Sequence, residues 1–90
     1  MGIAVGMIET IGIANSIEAT DLMLKTSDVV LFQQNKTDPA LVTTFIKGDV
    51  SAVLEAVEVG RKVAERTGSL VAYSVIPSSD SQTIKHLIKG

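Results

Sequence analysis

Few residues in this chain have the type and spacing to do chemistry, and none of them form a catalytic set. His86 is the single histidine, with Lys85 and Lys89 close by. A metal site or a general base there would need a carboxylate or thiolate partner at ligand spacing. None stands beside it, and the chain has no cysteine, which excludes thiolate metal sites and disulfides. Ser74, Ser78, Ser79 and Ser81 offer hydroxyls. No G-x-S-x-G elbow surrounds them, and any triad would depend on His86 alone, so turn and cap roles account for them. Glu55 and Glu58 lie one helical turn apart, as do Glu18 and Asp21. Paired acid and base roles would require an apolar cleft to split their pKa values, and solvated helix faces explain both pairs. The glycines follow neither the dinucleotide nor the P-loop pattern.

Bulk properties narrow the class further. Ninety residues make one domain, with little room for a second. Apolar residues are 46% of the chain, mostly aliphatic, with only three aromatics. That is much aliphatic surface for a domain this small to bury alone, and it points to assembly with copies of itself. The net charge of −2, without a basic cluster, lacks the electrostatic footprint of a nucleic-acid binder. The opening "MGIAVGMIET" has no positive n-region, and Glu9 interrupts its apolar stretch, so it does not read as a signal peptide. No apolar run approaches membrane-spanning length. The expectation is a soluble, cytoplasmic protein without cofactor, nucleic acid or membrane partner.

The elements follow from hydrophobic period. Ile3–Ile8 reads as a buried strand. Ile13–Lys25 reads as a helix with Ile13, Ile17 and Leu24 on its apolar stripe and Lys25 in its last turn. Val29–Gln34 and Leu41–Lys47 read as adjacent antiparallel strands. Asp49 stands as N-cap to a helix, Val50–Arg66, whose apolar face is Val50, Val53, Leu54, Val57 and Ala64. Gly68 suits a left-handed cap. Leu70–Ile76 is a strand stopped by Pro77, and a short amphipathic helix carrying Ile84, Leu87 and Ile88 follows. The predicted fold is α+β and ferredoxin-like, βαββαβ with a C-terminal helix, with one antiparallel sheet and its helices on one face. RNA-recognition domains share this order, but the strand "LVTTFIKG" offers Phe45 alone where stacking aromatics would be needed. The fold itself leaves function open.

Four segments carry a resemblance. "GMIET" with "IG" (6–12), "EATDLMLK" (18–25), "LVTTFIKGDVSAV" (41–53) and "VAYSVIP" (71–77) resemble, in register and without a gap, the single-domain, hexamer-forming shell proteins of bacterial microcompartments, the BMC family. The resemblance implies a structural protein and not an enzyme. Six copies would form a disc that tiles into a shell around enzymes, with metabolites passing a pore on the sixfold axis. Its partners would be itself, other shell proteins, the enclosed enzymes and small metabolites.

Two regions are implied by the same resemblance. At the disc edge, Lys25 matches a lysine that meets its symmetry mate, and Ser78 stands where family members usually carry an arginine that docks into the next disc. Losing that donor-rich side chain weakens the expected tiling. At the pore, the residues are Lys36, Thr37, Asp38, Pro39 and Ala40. The family's glycine-flanked serine is replaced by Asp-Pro-Ala. Pro39 has no N–H and a fixed φ, so the rim loses a donor and flexibility. Six Asp38 carboxylates facing an axis would favour cations over anions, offset by six Lys36. In the alternative orientation, Asp38 turns back and caps its own loop. Two further readings stay open: a ligand-sensing ferredoxin-like oligomer, and a minor shell component that does not tile alone.

Overall fold

Two βαβ-type halves interleave in one sheet. A computed structural model describes residues 2–38 and 40–78. The elements are β1 (Ile3–Ile11), α1 (Ile13–Thr26), β2 (Val29–Lys36), β3 (Leu41–Asp49), α2 (Val50–Arg66) and β4 (Leu70–Ser78). The strands stand in the order β2-β3-β1-β4, and every neighbouring pair is antiparallel. This is the ferredoxin-like βαββαβ order and sheet expected from the sequence. The C-terminal helix, Pro39, Ser79, Ser81 and His86 lie outside the described residues.

Alternation along β1 sends Ala4, Gly6, Ile8 and Thr10 toward the helices. A Cβ on Gly6 would stand 2.7 Å from Val57 Cγ2 and 2.8 Å from Val53 Cγ1, both on α2. The core joins Ala4, Ile8 and Ile46 of the sheet to Met23 of α1 and to Val53, Ala56 and Val57 of α2. Gly60 lets the layers close. A Cβ there would lie 2.4 Å from Ile8 Cδ1 and 2.8 Å from Met23 Sδ. On the opposite face of the sheet, Phe32 and Phe45 meet at 6.1 Å between centroids, and Lys47 Nζ lies 5.5 Å from the Phe32 ring centre.

Several local expectations change in the structure. The buried side of α1 is Ser16, Ala19, Thr20 and Met23, while Ile13, Ile17 and Leu24 are exposed by 45%, 62% and 39%. Small residues on the inner side allow close approach to α2 and the sheet, and the aliphatic stripe is left outside. On α2 the inner side is Val53, Ala56, Val57, Gly60, Val63 and Ala64, and Leu54 points outward. Asp49 occupies the N-cap position but makes no side-chain cap bond; β3 runs straight into α2, and the Val50 N–H donates to the Gly2 carbonyl at 3.1 Å. β4 does not stop at Pro77, which pairs with Ala4 inside the strand. Because β4 is an edge strand, one residue without an N–H is tolerated. The strands also run past their predicted ends, β1 to Ile11, β2 to Lys36 and β3 to Asp49.

The end of α2 is as expected. The Gly68 N–H donates to the Glu65 carbonyl at 3.0 Å and the Ser69 N–H to the Ala64 carbonyl at 2.9 Å, with Gly68 at φ +68°. This pair of bonds satisfies two carbonyls of the last helical turn, those of Ala64 and Glu65.

Candidate functional site

β2 and β3 are paired up to Lys36 opposite Val42, and the chain between them must reverse within a few residues. The Thr37 N–H donates to the Leu41 carbonyl at 3.2 Å and closes the loop. Asp38 then folds back over it. Its Oδ1 accepts the Ala40 N–H at 2.8 Å and the Leu41 N–H at 3.1 Å. Of the two orientations open in the sequence, this is the one that caps the loop from within. Lys36, Thr37, Asp38 and Ala40 are all exposed. Among the described residues, Lys36 forms no ion pair.

A clamp that the sequence did not reveal holds the loop against the rest of the domain. The Ala40 carbonyl accepts the Gly12 N–H at 2.5 Å. Gly12 precedes α1 and has φ +95°, a conformation that disfavours other residues. Ala40 C=O and Leu41 N–H belong to one peptide group, so its plane is fixed from both ends, by Gly12 and by Asp38. Nearby, Gln34 Nε2 donates to Thr44 Oγ1 at 3.0 Å and to Ser16 Oγ at 3.5 Å, which joins β2, β3 and α1 behind the loop. The only local hint of this clamp was the glycine itself, at the junction of a strand and a helix.

The second predicted group lies at the other end of the domain. Lys25 is in the last turn of α1, and its Nζ lies 2.9 Å from Asp21 Oδ2, an exposed pair one turn apart. Ser78 ends β4 opposite Ile3, the first residue of β1. The loop instead lies beside Ile11 and Gly12, at the far end of that strand. Eight residue steps separate Ile3 from Ile11, about 27 Å at ~3.4 Å per residue. The structure therefore separates the two predicted regions and does not bring them together. At the Lys25 end, an open cleft of about 740 Å³ is lined by Asp28, Lys47, Asp49, Glu55 and others, and Ser27 Oγ donates to Glu55 Oε1 at 2.7 Å.

Of the other candidate acids, Glu58 stands in an ion pair. Arg61 bridges Glu58 and Glu65 on the surface of α2, at 2.6 Å from Glu65 Oε1, and its guanidinium lies 5.6 Å from the Tyr73 ring centre. The Arg61 hydrogen bond holds the Glu58 carboxyl below its ordinary value. Among the described residues there is no group of acids and imidazoles fit to hold a metal ion, and no helix long and apolar enough to cross a membrane.

Comparison with known proteins agrees with this architecture. The BMC domain family matches residues 4–79. The microcompartment shell protein PduA of Salmonella typhimurium is 40% identical over 87 residues, covering 97% of this chain and 93% of PduA. The shell protein EutM of Escherichia coli is 42% identical over 74 residues, covering 82% of this chain and 76% of EutM. A solved microcompartment protein from Desulfitobacterium hafniense superposes with a TM-score of 0.78 at 32% identity, over 86% of this chain and 42% of that one. A match over nearly the whole domain, together with the βαββαβ sheet, establishes that this chain belongs to the BMC-domain family of bacterial microcompartment shell proteins.

Proposed function

We propose that six copies of this chain form a cyclic disc of a microcompartment shell, with the Thr37–Leu41 loop at the axis and the Lys25 end at the perimeter. The family is structural and not catalytic. Its match across residues 4–79 is the observation that carries this reading. Two features of the structure support it. The loop and the Lys25–Ser78 region occupy opposite ends of the β1 strand, as a rim and an edge must. The exposed aliphatic side chains Ile13, Ile17, Leu24 and Val30 offer apolar surface for neighbouring subunits.

In this disc, Lys36, Thr37, Asp38, Pro39 and Ala40 line the rim, where small metabolites pass on their way to and from enclosed enzymes. The place of work is the shell of a compartment within the cytoplasm. Lys25 contributes to contacts between discs. Ser78, in place of the family's arginine, favours a subunit that tiles poorly alone and completes its lattice with other shell proteins. Sedimentation giving a sixfold mass, with sheets or shells in electron micrographs once a second shell protein is co-expressed, is the expected result. A monomer at micromolar concentration would overturn the disc. Extended sheets of the isolated chain at ordinary salt would overturn the poor tiling.

A further inference from the structure

The two flanks of the sheet are both apolar, and they are unlike. β2 and β4 are its edge strands. On the β4 flank, Tyr73 and Val71 of β4 and Leu54 of α2 are about half exposed. Arg61 of α2 lies over the Tyr73 ring, 5.6 Å from its centre. Two carboxylates clamp that guanidinium. Glu58 accepts two of its N–H groups, and Glu65 Oε1 accepts a third at 2.6 Å. The Arg61 side chain is only 20% exposed. Tyrosine and arginine are the side chains that most often carry contact energy, and a ring held in place beforehand loses little freedom when it docks.

The β2 flank carries no such aromatic; it is aliphatic. At about 100° per residue, Ile13, Ile17 and Leu24 lie roughly a quarter-turn round from the buried side of α1. A right-handed β1-α1-β2 crossover turns that stripe outward past β2. The two patches also stand level. Tyr73, Ile8, Thr44 and Gln34 form one row across the sheet. Gln34 Nε2 donates to Ser16 Oγ at 3.5 Å, so Ile17, the next residue, meets the far flank at the level of Tyr73. Unlike patches on opposite flanks suit a head-to-tail contact, in which each copy presents one patch to each neighbour.

We propose that Tyr73, held under Arg61, is the anchor by which each copy grips the Ile13–Ile17–Leu24 stripe of the next. Closure of this contact into a ring of six rests on the disc reading above; the pairing of flank to flank is tested apart from it.

Tyr73 is the single tyrosine and the chain has no tryptophan, so its emission anisotropy reads this contact alone. Full-length Ile17→Asp keeps the anchor and loses the stripe. Full-length Tyr73→Asp keeps the stripe and is silent in tyrosine emission. Neither can close a ring. Tyr73→Asp is titrated into Ile17→Asp at up to about millimolar concentration. The anisotropy rises saturably, and the mixture sediments as a pair of chains and no larger. A titrant carrying both changes leaves the anisotropy flat. Should Tyr73→Asp fail to fold by circular dichroism, Tyr73→Ala takes its place with the same expectation. Adding Arg61→Ala to the Ile17→Asp chain raises the midpoint about 2- to 5-fold, as loss of a cation over a ring requires. A flat titration by the folded silent variant, an equal rise with the double variant, or a midpoint unmoved by Arg61→Ala overturns the proposal. A saturable rise beside a wild-type mass other than sixfold would sink the disc alone. A flat titration beside a sixfold wild type would sink this contact alone.

Discussion

The Gly12 N–H donates to the Ala40 carbonyl at 2.5 Å, and this bond ties the β2–β3 loop to the start of α1. The backbone at Gly12, with φ +95° and ψ 130°, aims that N–H at the loop. A side chain at position 12 is therefore strained, and its Cβ would also lie 3.2 Å from Asn15 Nδ2. Gly12→Ala should destabilise the fold by about 1–3 kcal/mol. Denaturant midpoints measure that loss, and faster amide exchange at Ala40 and Leu41 would report the released loop. An unchanged midpoint would mean that the strained backbone relaxes freely.

Gly60 tests how closely α2 is seated. Alanine raises helix propensity by about 1 kcal/mol over glycine. Overpacking against Ile8 Cδ1, at 2.4 Å, and Met23 Sδ, at 2.8 Å, costs about 1–3 kcal/mol. The steric effect wins, so Gly60→Ala is destabilising. Ile8→Val removes the nearest of these atoms. In a double-mutant cycle the pair should be less destabilised than the sum of the single changes, and strict additivity would refute the contact as the cause.

Thr10 is 1% exposed, and its Oγ1 has no hydrogen-bond partner among the described residues. A buried, unsatisfied hydroxyl is costly, and an isosteric methyl removes that cost. Thr10→Val should stabilise the protein by about 1 kcal/mol, read from denaturant or thermal unfolding. A loss of stability would reveal a partner for the hydroxyl.

At the Lys25 end, Ser78→Arg should increase sheet formation seen by electron microscopy. Adding Lys25→Ala should reverse the gain. Folding stability should change by less than about 0.5 kcal/mol in the Lys25 variant, because the Lys25–Asp21 pair is exposed on both sides. A large fall in unfolding midpoint would instead make Lys25 a folding residue.

The Arg61–Glu58 pair sets a local pH dependence. The Arg61 hydrogen bond lowers the Glu58 pKa from 4.5, so this pair favours the folded state above that value. The contribution is lost as pH falls through the lower folded-state pKa. A carboxyl titration of Glu58 should have its midpoint below 4.5, and Arg61→Ala should raise it. A midpoint unmoved by Arg61→Ala would remove the guanidinium as the cause.

Much of this molecule was legible in its order of residues. The βαββαβ succession, the span of α2 from Val50 to Arg66 and the left-handed cap at Gly68 follow from local period and backbone preference. Four short motifs in register also pointed to the family that residues 4–79 match. The orientation of α1 was not legible. Its sequence carries two stripes, Ile13–Ile17–Leu24 and Ser16–Ala19–Thr20–Met23, and hydrophobicity alone favours the first. The core took the second, whose small Ser16, Ala19 and Thr20 let α1 lie close, while Met23 fills the space left by Gly60 of α2. Pro77 likewise joined a strand because β4 lies at the sheet edge, a position that sheet order alone decides. For the loop, the sequence left Asp38 two orientations, toward an axis or back onto its own loop. Which way the carboxylate pointed depended on where the Ala40 and Leu41 amides came to lie, and that was set by Gly12, distant in sequence and adjacent only once the sheet and α1 had packed.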